Sequence, residues 1–458
     1  MLLTSRILRF EDASQGGEVW VNTLTGALDR LSQSEIETVT RAVEGRASPG
    51  GEALLEALQS RGYLFESPAG EQAAFERLVS QYQSPGLETH LVLCPTYACN
   101  LRCIYCFERL HADLPQQMMG IAAARLVFDA FRQIRSMFPE RNYALGLFGG
   151  EPLLPGTAPV VELALDQARA EALPVIIITN GVNVNSFLPL LNRYSSIIRA
   201  LQITLDGDEQ THDNRRPVAG GGGSYRAVIR SVESLLSTGI NVTLRVNIDS
   251  GNVFSLPGLA RLFDRKGWIG NPLFSCNLAP VKDHLGLGNI PAMASESKLL
   301  DKLLDVYDDE PDAEELFGFK GFQVLGTVAG ISKPGTECGP RVQHCEANYG
   351  GFWVAGPDGF LFACPEAVGQ PRLALGRYDP GLEIWQEQVD KWVDRSIGSL
   401  SYCRKCDIAT LCGGGCAYAA LSSEGALPSQ ACEHDSKRVL GIYLKRRILP
   451  QCLGEPKH

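Results

Sequence analysis

The sequence predicts an α/β protein whose middle is a partial (β/α)6, TIM-like barrel, with a small domain of strands and helices before it and a cysteine-rich domain after it. Three observations carry this. From Leu91 to about Val281, short apolar runs alternate with helical stretches, and this unit recurs six times. Residues 1–84 instead place strand-like segments first and helices second, and most of the fourteen cysteines fall in the last third of the chain. The length agrees, because 458 residues suggest about three domains at roughly 150 residues each.

The candidate barrel strands are Leu91 to Cys94, Ala144 to Phe148, Val175 to Thr179, Ala200 to Leu205, Val242 to Asn247 and Leu273 to Leu278. Helical stretches at Ile121 to Met137, Val160 to Glu171, Tyr225 to Ser237 and Leu256 to Arg265 cover them. Repeated right-handed crossovers of this kind build a parallel sheet and curl it into a partial barrel, with a doubly wound open sheet as the competing topology. Barrels gather their chemistry at the carboxyl ends of the strands. Glu151, Asn180-Gly181, Asp206-Gly207, and Arg245 with Asn247 stand at those ends. The run Gly220 to Gly223 reads as a loop before the helix at Ser224, because no Lys-Ser or Lys-Thr follows to make it a phosphate cradle.

In the first domain, Arg6 to Phe10 and Val19 to Val21 alternate like strands, and Thr23-Leu24-Thr25-Gly26 reads as a turn. A helix begins at a Ser34 cap with Glu37 three residues on, and a second runs from Glu52 to Arg61 and stops at Gly62. Tyr63-Leu64-Phe65 returns as a strand. Residues 66–87, with Pro68, Gly70, Pro85 and Gly86 around a short helical run, form the natural linker. The barrel then occupies 85–294, a bridging segment 295–335, and the cysteine-rich domain with its tail 336–458. The acidic stretch Ser295 to Glu315 reads as a solvated helix face.

Composition excludes several functions. A net charge of −10, a pI near 5.4 and the lack of a Lys or Arg stripe argue against a nucleic-acid partner. Apolar residues make up 45% and charged ones 21%, with no apolar run long enough for a membrane span. The opening Met-Leu-Leu-Thr-Ser-Arg is too short and too soon polar for a signal peptide. A cytoplasmic location is therefore expected, where thiols stay reduced and cysteines serve as metal ligands rather than disulfides.

Cys99, Cys103 and Cys106 form a CxxxCxxC loop. Three thiolates can hold three irons of a cubane cluster and leave the fourth open, whereas a structural zinc or a closed cluster needs four protein ligands. Half a zinc site completed from elsewhere is the competing reading. In the last third, Cys338, Cys345 and Cys364 precede Cys403-x2-Cys406-x5-Cys412-x3-Cys416 and Cys432. These eight would complete two four-ligand clusters, or two zinc ribbons. Cys94, Cys276 and Cys452 are left over and read as small buried hydrophobes.

With Tyr105 just before the third cysteine and Gly149-Gly150-Glu151-Pro152 some forty residues on, the chain resembles the radical S-adenosylmethionine (SAM) enzymes. The resemblance implies that the open iron binds the amine and carboxylate of SAM and that the Gly-Gly-Glu-Pro segment receives the amine. It also implies that Tyr105, Asn180, Thr204 and Arg245 are cofactor contacts. Leu205-Asp206-Gly207, followed by His212-Asp213-Asn214-Arg215-Arg216-Pro217, looks like a signature of members with extra clusters. The late cysteines resemble the SPASM extension, which would assign Cys338, Cys345, Cys364 and Cys416 to one auxiliary cluster and Cys403, Cys406, Cys412 and Cys432 to another. Three 4Fe-4S clusters and SAM are the cofactors implied.

Residues 1–84 resemble the winged-helix-like peptide-recognition domain that grips a leader by adding it to a sheet edge. Together these imply a maturase of a ribosomally made precursor peptide. Driven by a reducing partner such as flavodoxin or ferredoxin, it would abstract a hydrogen and oxidatively install a thioether, carbon–carbon or carbon–oxygen cross-link. The alternative is a sulfatase-maturing enzyme that oxidises Ser or Cys to formylglycine. That group is expected to carry an acidic residue directly after the auxiliary cysteine, where this chain has Pro365. Glu366 is then the nearest carboxylate in sequence to Cys364 and a candidate catalytic base, with Asp206 as the other candidate.

Overall fold

Six parallel strands run through the middle of the chain in strict order: β6 (Thr89–Leu93), β7 (Tyr143–Leu147), β8 (Val175–Thr179), β9 (Ile198–Thr204), β10 (Val242–Ile248) and β11 (Phe274–Pro280). Each pairs with its chain neighbour, and the order never reverses. A doubly wound sheet reverses at a switch point, so this is the singly wound course of a partial barrel, as the alternating pattern predicts. The computed structural model describes residues 1–12, 16–46, 49–82, 88–108, 117–283, 293–329, 340–427, 429, 431–432 and 435–450.

The strands are short and largely apolar, and β8 is a β-branched run, Val175-Ile-Ile-Ile-Thr, whose side chains suit a pleated, packed surface. The helices that cover them are amphipathic. On α8 (Tyr225–Ser237), Val228, Ile229, Val232 and Leu235 are buried, at the spacing of one helical face. Helices α4 (Ile121–Met137), α5 (Ala158–Ala170), α6 (Val184–Arg193), α7 (Glu209–Arg215) and α9 (Leu256–Arg265) complete this layer. Of the spare cysteines, Cys94 donates to Thr96 O at 3.4 Å and Cys276 to Leu316 O at 3.6 Å, both buried. Cys452 lies outside the described residues.

In the first domain, β2 (Ile7–Glu11), β3 (Glu18–Asn22) and β4 (Leu28–Leu31) form an antiparallel meander, while β1 (Leu2–Leu3) pairs with β5 (Leu64–Phe65). Helix α1 (Gln33–Val43) starts two residues earlier than the Ser34 cap predicts. Ser32 Oγ accepts the Glu35 N–H, and the Glu35 carboxylate accepts the Ser32 N–H at 2.8 Å, a reciprocal capping box. Helix α2 (Glu52–Ser60) stops before Gly62, whose φ is +77°. The expected linker is mostly a third helix, α3 (Pro68–Gln81). Pro68 opens its first turn, where a missing N–H costs nothing, and Ser67 accepts the Gly70 N–H. Pro85 and Gly86 lie outside the described residues.

This domain is packed onto the cysteine-rich one rather than tethered to it. Leu24 and Phe75 share an apolar cluster with Val342, Ile397, Leu400, Cys403 and Ala409. Arg6 donates to the carbonyls of Cys406 (2.8 Å) and Arg404, Thr23 donates to Asp407 O, and Thr410 donates back to Thr23 O.

The acidic bridge keeps a solvated face, with Asp301, Asp305, Asp308, Asp309, Glu310 and Asp312 exposed while Leu299, Leu300, Leu303 and Leu304 are buried. Pro311 divides it into α10 (Glu296–Asp309) and a short helix Pro311–Phe317. Arg446 pairs with Asp301, Asp305 and Asp308, and Arg447 with Asp308 and Glu314, so the run also clasps the last described helical segment, which ends at Ile448. The connector at 330–335 lies outside the described residues. In the last domain β12 (Phe352–Ala355) pairs in parallel with β6, and β13 (Phe360–Phe362), β14 (Ala374–Arg377) and β15 (Glu383–Ile384) extend one ten-stranded sheet. Among the described residues no helix is long and apolar enough to cross a membrane.

Candidate active site

The Cys99–Cys106 loop leaves β6 and lies on two backbone beds. On one side Arg102 N–H donates to Pro217 O, Ile104 N–H to Arg215 O, and Ala219 N–H to Asn100 O, at 2.8–2.9 Å. On the other, Gly150 N–H donates to Thr96 O and Glu151 N–H to Ala98 O at 3.0 and 2.9 Å. This second contact is close enough that a methyl at Gly150 would stand 2.5 Å from Tyr97 O and nearer still to Ala98 O. Gly149 has φ +144°, with Cys94 Sγ 2.5 Å from where its Cβ would be. Two glycines are thus what lets the end of β7 touch the cysteine loop.

The three thiols are partly buried, and burial pushes Cys99 and Cys106 up to about 12 and raises Cys103. Each feels the charge of another member of the trio or of a carboxylate close by. A thiolate gathered in such a place needs a cation to offset desolvation and repulsion, which is what an iron cluster supplies.

Tyr105 turns inward. Its hydroxyl donates to Asp206 and accepts from Arg216 Nη1 at 2.7 Å and Asn247 Nδ2 at 3.0 Å, and burial pushes its pKa well above 10. The Arg215 guanidinium lies 5.0 Å above its ring and pairs with Asp249 at 2.6 Å and Asp206 at 3.5 Å. Asp206 has no exposed surface and also accepts the Asn247 N–H at 3.0 Å. It is therefore an anchor of the cysteine loop, held by Tyr105, Arg215 and the Asn247 N–H.

The rest of the His-Asp segment works inward too. His212 accepts the Asp206 N–H and meets Ser224 Oγ at 3.0 Å, while Asp213 caps α8 through the N–H groups of Ser224 and Tyr225.

Glu151 is 1% exposed and accepts from Leu153 N (2.9 Å), Asn180 N (2.7 Å) and Thr179 Oγ1 (2.6 Å). Burial raises its pKa against those donors. The Asn180 amide reaches Asn100 Oδ1 at 2.7 Å and Cys99 Sγ at 3.7 Å. Thr204 is buried at the end of β9. Arg245 is accessible yet walled by protein. Desolvation lowers its pKa while Tyr105, Asp206 and Glu366 pull it back up, and its Nε holds Asn247 Oδ1 at 2.8 Å.

Glu366 is half-buried on the turn Pro365–Ala367 and acts electrostatically on Cys364, Cys416 and Arg245. It thus stands between the barrel site and the late cysteines. Those cysteines fall into two sets by mutual influence: Cys345, Cys364 and Cys416 in one, and Cys403, Cys406 and Cys432 in the other. Cys412 is buried in the helix that follows Cys406. Cys338 lies outside the described residues. Among the described residues no three His, Cys, Asp or Glu converge tightly enough for a single metal ion. Thiolates that each bond a different iron stand farther apart than that.

Three residues of this architecture carry no sequence signal: Asn252, which donates to Asp206 O at 2.8 Å, and the buried cations Arg6 and Arg395.

Residues 93–252 match the Radical SAM superfamily model. Mycofactocin maturase MftC of Mycolicibacterium smegmatis is 26% identical over 349 residues, 74% of this chain and 81% of the relative. Among solved structures, native anSMEcpe with bound AdoMet and Kp18Cys peptide superposes with TM-score 0.60 at 18% identity, covering 81% of this chain and all of that one. Streptococcus suis SuiB bound to precursor peptide SuiA gives TM-score 0.52 at 16% identity, covering 94% and 98%.

Proposed function

We propose, from the premise that this chain is a radical SAM enzyme whose superfamily domain spans residues 93–252, that it modifies a ribosomally made precursor peptide by hydrogen abstraction followed by oxidative bond formation. The observation that carries the reading is the CxxxCxxC loop held against Gly149–Glu151 at the carboxyl end of β7. When bound, SAM and a 4Fe-4S cluster on Cys99, Cys103 and Cys106 supply the radical that takes the hydrogen. The chain's own residues position and shield. Glu151 and Asn180 order the segment that meets the SAM amine, Arg245 offers a cation at the mouth, and Tyr105, Asp206 and Arg216 fix the loop from below. Glu366 takes the proton lost when the new bond closes.

Cys338, Cys345, Cys364 and Cys416, and Cys403, Cys406, Cys412 and Cys432, would hold two further clusters, which would supply a sink for the electron lost by the substrate. A flavodoxin- or ferredoxin-like protein supplies the reductant. Residues 1–84 bind the leader. This reading is favoured over formylglycine formation because the match to SuiB spans 94% of the chain against 81% for anSMEcpe, and so takes in most of the N-terminal unit.

Anaerobically reconstituted protein should hold about twelve irons, the Cys99/Cys103/Cys106→Ala variant about eight, and only the former should cleave SAM. Cleavage by the triple variant, or about two zincs and little iron in the parent, would overturn the reading.

A further inference from the structure

Arg395 is 2% exposed, one of the largest fully buried side chains in the molecule. Among the described residues no carboxylate lies within ion-pair distance of it. Its guanidinium instead donates to four carbonyls: Nε to Leu427 O (3.1 Å) and Ser429 O (3.2 Å), Nη1 to Gly415 O, and Nη2 to Gly414 O (2.7 Å) and Ser429 O (2.9 Å). These carbonyls belong to the turn between Cys412 and Cys416 and to the segment leading to Cys432. The charges that favour its ionised form, against the desolvation that lowers its pKa, are Cys416, Cys403, Cys345 and Cys412, drawn from both cysteine sets. A buried cation without an opposing charge is strongly unfavourable. A four-thiolate iron cluster is net negative in either oxidation state and meets that need. Conversely, net charge and nearby hydrogen-bonded dipoles set the potential of such a cluster.

We propose that Arg395 is the shared counter-ion of two auxiliary clusters, raising the reduction potential of both and so equipping them to accept an electron from the substrate. It acts through the clusters and is a positioning residue. A second consequence of the geometry is that its fork pins the backbone around three ligands in the same places where it delivers its charge. This inference rests on reading the late cysteines as two clusters, and iron content tests that reading separately.

The experiment uses full-length protein carrying Cys99/Cys103/Cys106→Ala, so that only auxiliary clusters contribute. Iron per chain is measured first, then midpoint potentials by EPR-monitored redox titration, for Arg395, Arg395→Lys and Arg395→Gln. About eight irons with Arg395 present support the premise, and its absence there would fail the cluster reading rather than the role of Arg395. With iron retained, Arg395→Gln should shift both couples negative by about tenfold in the reduced-to-oxidised ratio, which is about 59 mV for one electron, while Arg395→Lys shifts them less.

Loss of iron in the Gln variant with retention in the Lys variant would equally show that the charge is needed. Unchanged potentials in an iron-replete Gln variant would overturn the proposal. So would an equal shift in both variants, or loss of iron in both, which would leave Arg395 a backbone clamp only.

Discussion

Replacing Tyr105 by Phe removes one oxygen and tests whether this residue anchors the cysteine loop or contacts SAM. The hydroxyl has three partners, two of them charged: it donates to Asp206 and accepts from Arg216 (2.7 Å) and Asn247 (3.0 Å). Hydrogen bonds to charged groups contribute about 1.5–3 kcal/mol each, and a stranded buried partner costs a similar amount. Asp206 retains Arg215 and the Asn247 N–H, and Arg216 still faces Asp206, so part of the loss is recovered and a net ~2–3 kcal/mol remains. At ~2–4 °C per kcal/mol for a domain of this size, the melting temperature should fall by roughly 5–10 °C. Anaerobic calorimetry of reconstituted protein reads the fall. Isothermal titration with SAM should show an affinity within about threefold of the parent, under ~1 kcal/mol. A melting temperature within about 1 °C of the parent, together with a more than tenfold loss of SAM affinity, would refute the anchoring argument and return Tyr105 to the cofactor.

Gly150→Ala should part β7 from the cysteine loop, since its methyl meets backbone that cannot swing aside; overpacking of ~1–3 kcal/mol and loss of SAM cleavage are expected, and parent-level cleavage would show the contact to be slack. His212 is held near a pKa of about 3, first by burial and then by Arg216 and Arg215. Its folded value is below its unfolded 6.5, so the unfolded chain binds more protons, and the stability this gives above pH 6.5 is lost as pH falls toward 3. Melting temperatures at about pH 7 and 5 should diverge in the parent and converge in His212→Gln. Deleting residues 1–84 should lower soluble yield and iron content, because Val342, Ile397, Leu400 and Cys403 lose their cover; a fully iron-loaded truncate would show the packing to be dispensable. Glu366→Gln should abolish product while deuterium still passes from labelled substrate into 5′-deoxyadenosine, and product at the parent rate would remove Glu366 as base.

The barrel strands were readable from sequence because each is a short, largely apolar run set between helical or loop stretches, and the Cys99–Cys106 loop stood out because spacing alone restricts what three thiols on one loop can hold. What escaped reading has a common physical cause. Pro68 and Gly70 look like linker residues, yet Pro is equally at home at the first turn of a helix. The arginine partners of the acidic bridge were not legible because Arg446 and Arg447 lie some 130 to 145 residues away. Arg6 and Arg395 bind carbonyls, and a backbone acceptor leaves no residue type behind to betray it. Asp206 stood at a strand end where chemistry gathers, but periodicity does not tell a side chain facing the mouth from one tucked under a loop.

The pairing of β12 with β6 joins the last domain to the first barrel strand over four register positions. A wall hung on a loop could swing like a door; one woven into the same cloth cannot, because opening it would tear a row of backbone bonds at about 1 kcal/mol each. The last domain is therefore held to the barrel as a continuation of its sheet, and it keeps its place relative to the first barrel strand.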